Sequence, residues 1–187
     1  MLALQGDFAA HGAALRRAGA EPVFVRDAAE LDSLDGLVIP GGESTTMLKL
    51  LRHDGMWDSL AAFCRRRPVF GTCAGAILMA SGVLNPVQDS LRVMDIDVER
   101  NAYGRQIDSR IATLDPEPAL RGRMGGEPME AVFIRAPIIR RVGQATVLAR
   151  YAGDPVLVEN GPHLVATFHP ELSAGSAIHR LFLEKLS

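Results

Sequence analysis

Two spacings of apolar residues alternate along the first half of the chain. Short continuous runs at Met1–Leu4, Glu21–Val25, Gly36–Ile39 and Pro68–Thr72 read as strands. Between them, apolar positions recur every three or four residues, as on one face of a helix. Such segments cover Phe8–Ala18, stopped by Gly19; a stretch capped by Ser44 or Thr45 and running to about His53; and Met56–Arg66. Strand–helix units with short connections predict a mostly parallel sheet with helices on its faces.

The second half changes character. Val93–Arg100 sets Met94, Ile96 and Val98 against Asp95, Asp97 and Glu99, the alternation of a half-buried strand. Short runs follow at Ser109–Leu114, Met129–Ile134, Ala145–Tyr151, Pro155–Glu159 and His163–Phe168, several separated by Gly or Pro turns that favour antiparallel pairing. Asp115–Pro128 is rich in proline and glycine and reads as an exposed loop, and Gly175–Leu186 as a closing amphipathic helix. The expected architecture is α/β: three layers, with a mostly parallel, flavodoxin-like central sheet flanked by helices and some antiparallel strands in the second half. Residues 1–187 are expected to form one domain. Met1–Leu4 is short for a central strand, as in a chain that is truncated or whose translation starts a few residues late. A weakened first strand with untouched chemistry is the expectation.

Composition narrows the partners. A net charge of −2 with scattered cations argues against nucleic acid, and Arg65-Arg66-Arg67 reads as a solvated helix end. No apolar run reaches membrane-spanning length, so no membrane partner is expected. The only cysteines, Cys64 and Cys73, make no disulfide framework, and no signal peptide precedes the first strand; a reducing, cytoplasmic location follows. Cys64, inside a helix, reads as a packed thiol. Neither a CxxC pair nor a His-x-x-x-His spacing supports a metal site, and no cofactor is expected.

The chemistry concentrates at Pro68–Leu78, where an apolar strand runs through Gly71-Thr72-Cys73-Ala74-Gly75 into a helix. That is the order of a nucleophile elbow. Gly71 and Gly75 allow close backbone approach, and the helix start favours a thiolate. The other reading of Cys73 is a small buried core residue. A cysteine nucleophile needs a base and a group that orients the base. Phe168-His169-Pro170-Glu171 supplies both: proline biases His169 towards extended geometry, where residues two apart share a side, so Glu171 can accept from one imidazole nitrogen. A plain turn after a strand is the alternative. The N–H of Ala74 is one candidate oxyanion donor, and the loop Pro40-Gly41-Gly42-Glu43-Ser44-Thr45-Thr46 offers a second. That loop could otherwise be a tight turn before a capped helix; a phosphate cradle is disfavoured because the Gly-Lys-Ser/Thr ending is missing. His53 and His179 fall in helices, His163 starts a strand, and His11 lies in the first helix with exposure open. None of the four is expected in catalysis.

Taken together, these residues resemble the triad (class I) glutamine amidotransferases, and within them the glutaminases of pyridoxal 5′-phosphate synthase. The resemblance runs through Leu4–Phe8, Pro40–Thr46, Gly71–Gly75, Glu99–Gln106, Phe133–Pro137 and Phe168–Glu171. The elbow and His-x-Glu are shared by many glutaminases, whereas Gly-Glu-Ser-Thr-Thr, Arg-Asn-x-x-Gly-Arg-Gln and Phe-Ile-Arg-Ala-Pro single out the subfamily. The resemblance implies hydrolysis of L-glutamine to glutamate and ammonia, with Cys73 as nucleophile, His169 as base and then acid, and Glu171 orienting it. It implies an oxyanion hole at Gly42 and Ala74, and glutamine held by Gly42, Glu43, Ser44, Arg100, Ile134 and Arg135. Arg100 or Arg135 would pair the substrate carboxylate and Glu43 its amino group. It also implies ammonia delivery to a (β/α)8-barrel synthase subunit and low activity without that partner. The helix carrying His11 and the loops around the site are the expected docking surface. Two further readings stay open: a glutaminase serving another synthase, and a catalytically silent binding partner of the same fold.

Overall fold

The computed structural model describes residues 1–101, 109–123 and 129–186. In chain order its elements are α1 (Phe8–Arg17), β1 (Leu37–Ile39), α2 (Ser44–His53), α3 (Trp57–Cys64), β2 (Val69–Thr72), α4 (Ala74–Met79), β3 (Ala80–Leu84), β4 (Met94–Glu99), β5 (Ser109–Thr113), β6 (Asp115–Pro116), α5 (Pro118–Arg121), β7 (Glu130–Ile134), β8 (Ile138–Val142), β9 (Thr146–Tyr151), β10 (Asp154–Asn160), β11 (His163–Ala166) and α6 (Ala177–Leu183). Ala102, Tyr103, Gly104, Arg105 and Gln106 of the subfamily segment lie outside the described residues, as do positions 124–128 of the Asp115–Pro128 loop.

The central sheet runs in the order β1-β2-β11-β10-β9-β6 and is mixed. β1, β2 and β11 are parallel, with Leu37 opposite Val69 and Leu164 opposite Phe70. Beyond β11 the pairing turns antiparallel, β11 with β10, β10 with β9 and β9 with β6. The smaller sheets are β3-β4-β8 and β5-β7. Strand alternation divides the interior in two, because successive side chains point to opposite faces. Leu37, Ile39, Val69 and Val165 pack with α2, α3, α4 and the β3-β4-β8 sheet. Val38, Phe70, Leu164 and Ala166 pack with α6 and with Ala131 and Phe133 of β7. Phe70 is fully buried and lies 5.7 Å from Phe182 across this second core. Burying a side chain of that size contributes about 1.5–3 kcal/mol. Both faces of the central sheet are therefore covered, as the expected three layers require.

Four expectations need correcting. Met1–Leu4 and Glu21–Val25 form only the bridge Leu2–Val25, although Leu2 N–H donates to Val38 O at 2.9 Å and so extends the sheet beyond β1. Pro22 has no N–H to give, and the pairing of the second run is confined to Val23 and Val25, whose backbones bond Met1 and Ala3. The elbow helix α4 is one short stretch that turns straight into β3, a strand the sequence pattern does not separate from it. Asp115–Pro128 is not simply an exposed loop: β6 pairs with β9, and Leu120 on α5 is fully buried in the second core. The closing helix is shorter than Gly175–Leu186 and ends in a 3-10 turn, Glu184–Leu186.

Candidate active site

Because β1, β2 and β11 are parallel, their C-terminal ends meet on one edge of the sheet, where open α/β sheets bind ligands. Each chain leaving that edge carries part of the site. β1 leads into Pro40-Gly41-Gly42, β2 into Cys73, and β11 through Thr167 and Phe168 into His169.

Cys73 stands at the elbow with φ 47 and ψ −102, a conformation that costs a non-glycine residue energy and persists only where the surroundings impose it. Its N–H donates to Ala166 O at 2.9 Å, tying it to β11. A Cβ on Gly75 would lie 2.1 Å from Ile39 O, and one on Gly71 would lie 2.7 Å from the Gly75 carbonyl. Only glycine at both positions lets α4 sit this close to β1 and β2, so the Gly-x-Cys-x-Gly pattern is a packing requirement. Cys64, by contrast, is fully buried, and burial pushes its thiol up to about 12. Both thiols are free.

His169 Nδ1 lies 2.7 Å from Glu171 Oε1, and the Glu171 side chain is wholly buried. The pairing is as expected, but its geometry is not an extended segment. Pro170 opens a 3-10 turn, Pro170–Leu172, which folds the carboxylate back beneath the ring. His169 N–H donates to Val132 O at 2.8 Å, fixing the backbone. With Nδ1 engaged, Nε2 is the nitrogen left for Cys73. Burial alone would lower the imidazole's pKa, but the hydrogen bonds to Cys73 and Glu171 overcome it and raise it to about 10. An imidazolium held beside the sulfur is the charge partner a thiolate needs.

Gly41 packs on both groups: a Cβ there would meet His169 Cε1 at 2.5 Å and Cys73 Cβ at 3.3 Å. The next residues are stapled from the first segment. The Gln5 side-chain amide donates to Glu43 O at 2.9 Å and accepts from Glu43 N at 2.6 Å. The Glu43 carboxylate caps α2, accepting from Thr45 N, Thr46 N and Thr46 Oγ1. Burial opposes its ionisation, but the hydrogen bonds from Thr46 and Thr45 together outweigh it and hold the carboxyl at about 2.

These groups open onto one pocket, lined by Gly42, Glu43, Ser44, Cys73, Ile77, Arg100, Asn101, Ile134, Arg135, Pro137 and His169. Every candidate glutamine-binding residue is among them. Ala74 follows Cys73 in the first turn of α4, and Glu171 lies behind His169 rather than in the wall. Arg100, at the end of β4, donates to Thr45 Oγ1 at 2.7 Å and sits 3.4 Å from Glu43 Oε1. Arg135, in the turn after β7, is exposed, with φ 45. Among the described residues, no cluster of three or more His, Cys, Asp or Glu could hold a metal ion, and no helix is long and apolar enough to cross a membrane.

Sequence reasoning missed Gln5, Ile77, Asn101 and Pro137, and it left the surroundings of His11 open. The His11 ring is fully buried. Its Nδ1 is 3.0 Å from His179 Nε2, and its Nε2 is 3.1 Å from both Thr72 Oγ1 and Glu171 Oε2. The available signal was register: His11 lies four residues before Leu15, on the buried face of α1.

Comparison with known proteins agrees with this geometry. The family model described as the SNO glutamine amidotransferase family matches residues 1–187. The chain is 63% identical over its whole length to the pyridoxal 5'-phosphate synthase subunit PdxT of Solibacter usitatus, covering 97% of that protein. It is 46% identical to the subunit of the same name from Thermotoga maritima, over 98% of this chain and 96% of the relative. A crystal structure of a glutamine amidotransferase superimposes with a TM-score of 0.88 at 44% identity, covering 99% of this chain and 96% of that one. PurLQS from Thermotoga maritima, at 17% identity and a TM-score of 0.69, shares the fold.

Proposed function

The chain belongs to the SNO glutamine amidotransferase family, and we propose that residues 1–187 act as one glutaminase unit that feeds ammonia to a pyridoxal 5′-phosphate synthase subunit. The observation that carries this reading is the strained Cys73 at the head of α4, paired with an imidazole whose Nδ1 is 2.7 Å from a buried carboxylate. That is the nucleophile–base–orienter arrangement of acyl transfer.

The reaction follows from these positions. Cys73 gives its thiol proton to His169 Nε2 and its Sγ attacks the side-chain amide carbon of L-glutamine, while the carbonyl π electrons move onto oxygen. The N–H groups of Gly42 and Ala74 receive that oxyanion. As the tetrahedral intermediate collapses, His169 Nε2 gives a proton to the departing nitrogen, and ammonia leaves. Water then attacks the thioester carbon while His169 takes its proton, and the second collapse frees glutamate and the Cys73 thiolate. Glu171 holds the imidazolium that forms in each half. Arg100 or Arg135 pairs the substrate carboxylate, Glu43 its amino group, and Ser44 and the Ile134 turn complete the pocket.

Ammonia is useful to a synthase only while unprotonated, which favours delivery across a subunit contact over release to solvent. We take the partner to be the (β/α)8 barrel that the resemblance implies. Two unpaired thiols suit a reducing, cytoplasmic setting. The test is glutamate release from L-glutamine with and without the synthase subunit, beside Cys73→Ala. Release that rises on adding the synthase, and falls by roughly 10⁶ in kcat in the variant, is the expected result. Release that survives Cys73→Ala would remove this reading.

A further inference from the structure

Two buried histidines stand behind the triad and have no part in the chemistry above. His11 on α1 and His179 on α6 are both fully buried, with ring centroids 5.2 Å apart. Burial of two imidazoles is costly unless their nitrogens are engaged. Three of the four are accounted for: His179 Nε2 meets His11 Nδ1 at 3.0 Å, and His11 Nε2 meets Thr72 Oγ1 and Glu171 Oε2. His179 Nδ1 has no hydrogen-bond partner among the described residues. The Glu171 oxygens are used unequally. Oε1 takes the His169 N–H at 2.7 Å, while Oε2 accepts no directed hydrogen bond among the described residues and has His11 Nε2 3.1 Å away.

This arrangement assigns the protons. A ring lone pair on His11 Nε2 would face the carboxylate at 3.1 Å, so Nε2 carries the hydrogen, shared between Thr72 Oγ1 and the field of Oε2. Nδ1 then accepts from His179 Nε2–H, and the bare His179 Nδ1 is an acceptor, the cheaper kind of group to leave unpaired.

We propose that His11 is a positioning residue for the triad: a neutral imidazole, held by His179, that confronts Glu171 Oε2 with its Nε2–H and so presents Oε1 to His169. Neutrality matters because a cationic His11 would compete with His169 for the same carboxylate. Burial, then the nearby His179 and His169, keeps the His11 pKa well below its ordinary value. Burial, with Arg17 nearby, lowers that of His179 to about 4. Thr72 ties the same device to the elbow, since it immediately precedes Cys73 on β2. The base is therefore oriented from α1 and α6 as well as from the turn that carries it. The inference rests on the triad reading above.

The test compares two amides in one buried space. The asparagine oxygen can stand where His11 Nδ1 stands and accept from His179 Nε2–H, but its amide reaches neither Thr72 nor Glu171. The glutamine nitrogen can stand where Nε2 stands and reach Thr72 and Glu171. In the chain assembled with its synthase subunit, His11→Asn is expected to lower kcat for glutamine hydrolysis by about tenfold or more, the scale at which partners behind a working histidine usually count. KM should stay unchanged, because His11 is not in the pocket wall. His11→Gln should recover most of the turnover. The downfield proton NMR signal of His169 Nδ1–H should shift in the Asn variant and stay in place in the Gln variant. Equal losses in the two variants, or a loss confined to KM, would overturn the proposal. Should the Asn variant not fold, His179→Phe frees His11 Nδ1 alone; wild-type turnover and an unmoved His169 signal there would sink the idea. Persistence of glutamate release in Cys73→Ala would instead overturn the triad reading itself, independently of His11.

Discussion

The groups that do chemistry and the groups that recognise substrate come from differently built regions. Cys73, His169 and the Gly41-Gly42 turn leave three parallel strands of the central sheet, whose two faces are both packed. Arg100 and Arg135 leave the ends of β4 and β7, in the two smaller sheets. The first set is locked by backbone: Cys73 N–H to Ala166 O, His169 N–H to Val132 O, and glycines that admit no side chain. The second set works through long side chains, one tied to Thr45 and Glu43 and the other exposed in a turn with positive φ. Bond-making needs positions held to a fraction of an ångström, which buried parallel strands supply. Recognition of a small charged substrate needs reach, which cationic side chains on turns supply.

If this division holds, damage to the two regions should separate in kinetics. The largest effect is expected of Glu171→Gln, which preserves shape but removes the charge that holds the imidazolium. A loss in kcat of roughly 10³–10⁴ with little change in KM is the expected result, measured as glutamate release in the assembled enzyme. A KM-dominated loss would place Glu171 in recognition and blur the comparison.

Arg135→Ala should do the reverse. Losing one charge-assisted contact to a carboxylate removes about 1.5–3 kcal/mol of binding, roughly a tenfold to hundredfold rise in the glutamine KM, with kcat nearly kept. Isothermal titration of glutamine into Cys73→Ala, with and without Arg135→Ala, would show whether the change lies in binding.

The smallest effect is one of stability. His179 titrates near 4 in the fold, against 6.5 for an ordinary imidazole. The unfolded chain therefore takes up its proton first. Stability should fall as pH drops through about 6.5 towards about 4, and this contribution should level off below that window. Urea denaturation across that range, repeated on His179→Phe, should show a shallower slope in the variant. An unchanged slope would mean that the buried pair is not what titrates.

Much of this was legible in the chain. The parallel strands β1 and β2 announced themselves as apolar runs ending at Pro40-Gly41-Gly42 and Cys73, and the alternation of Met94, Ile96 and Val98 against acidic neighbours marked β4; β11 lay among runs expected to pair antiparallel, and its parallel pairing with β2 was not legible. Cys73, His169 and Glu171 stood in short motifs, and the structure brings all three together. The failures were of two kinds. Met1–Leu4 and Glu21–Val25 had strand-like composition, but Pro22 has no N–H to give and only one bridge joins them. In Asp115–Pro128, turn residues concealed Leu120, whose burial depends on a core contributed by β9, β10 and α6.

The sequence by itself determined the strand-to-helix turns, the glycines that make close packing possible, and the order in which nucleophile, base and carboxylate occur. These are local properties, set by spacing and by what each residue's backbone and side chain can adopt. Only the tertiary structure decided that His11 and His179, 168 residues apart, meet behind Glu171, that Gln5 staples the Glu43 turn, and that Arg100 and Arg135 enter one pocket from separate sheets. Those contacts have no periodicity to read. They exist because packing α1 and α6 onto one face of the sheet excludes water there, and buried polar atoms must then find one another.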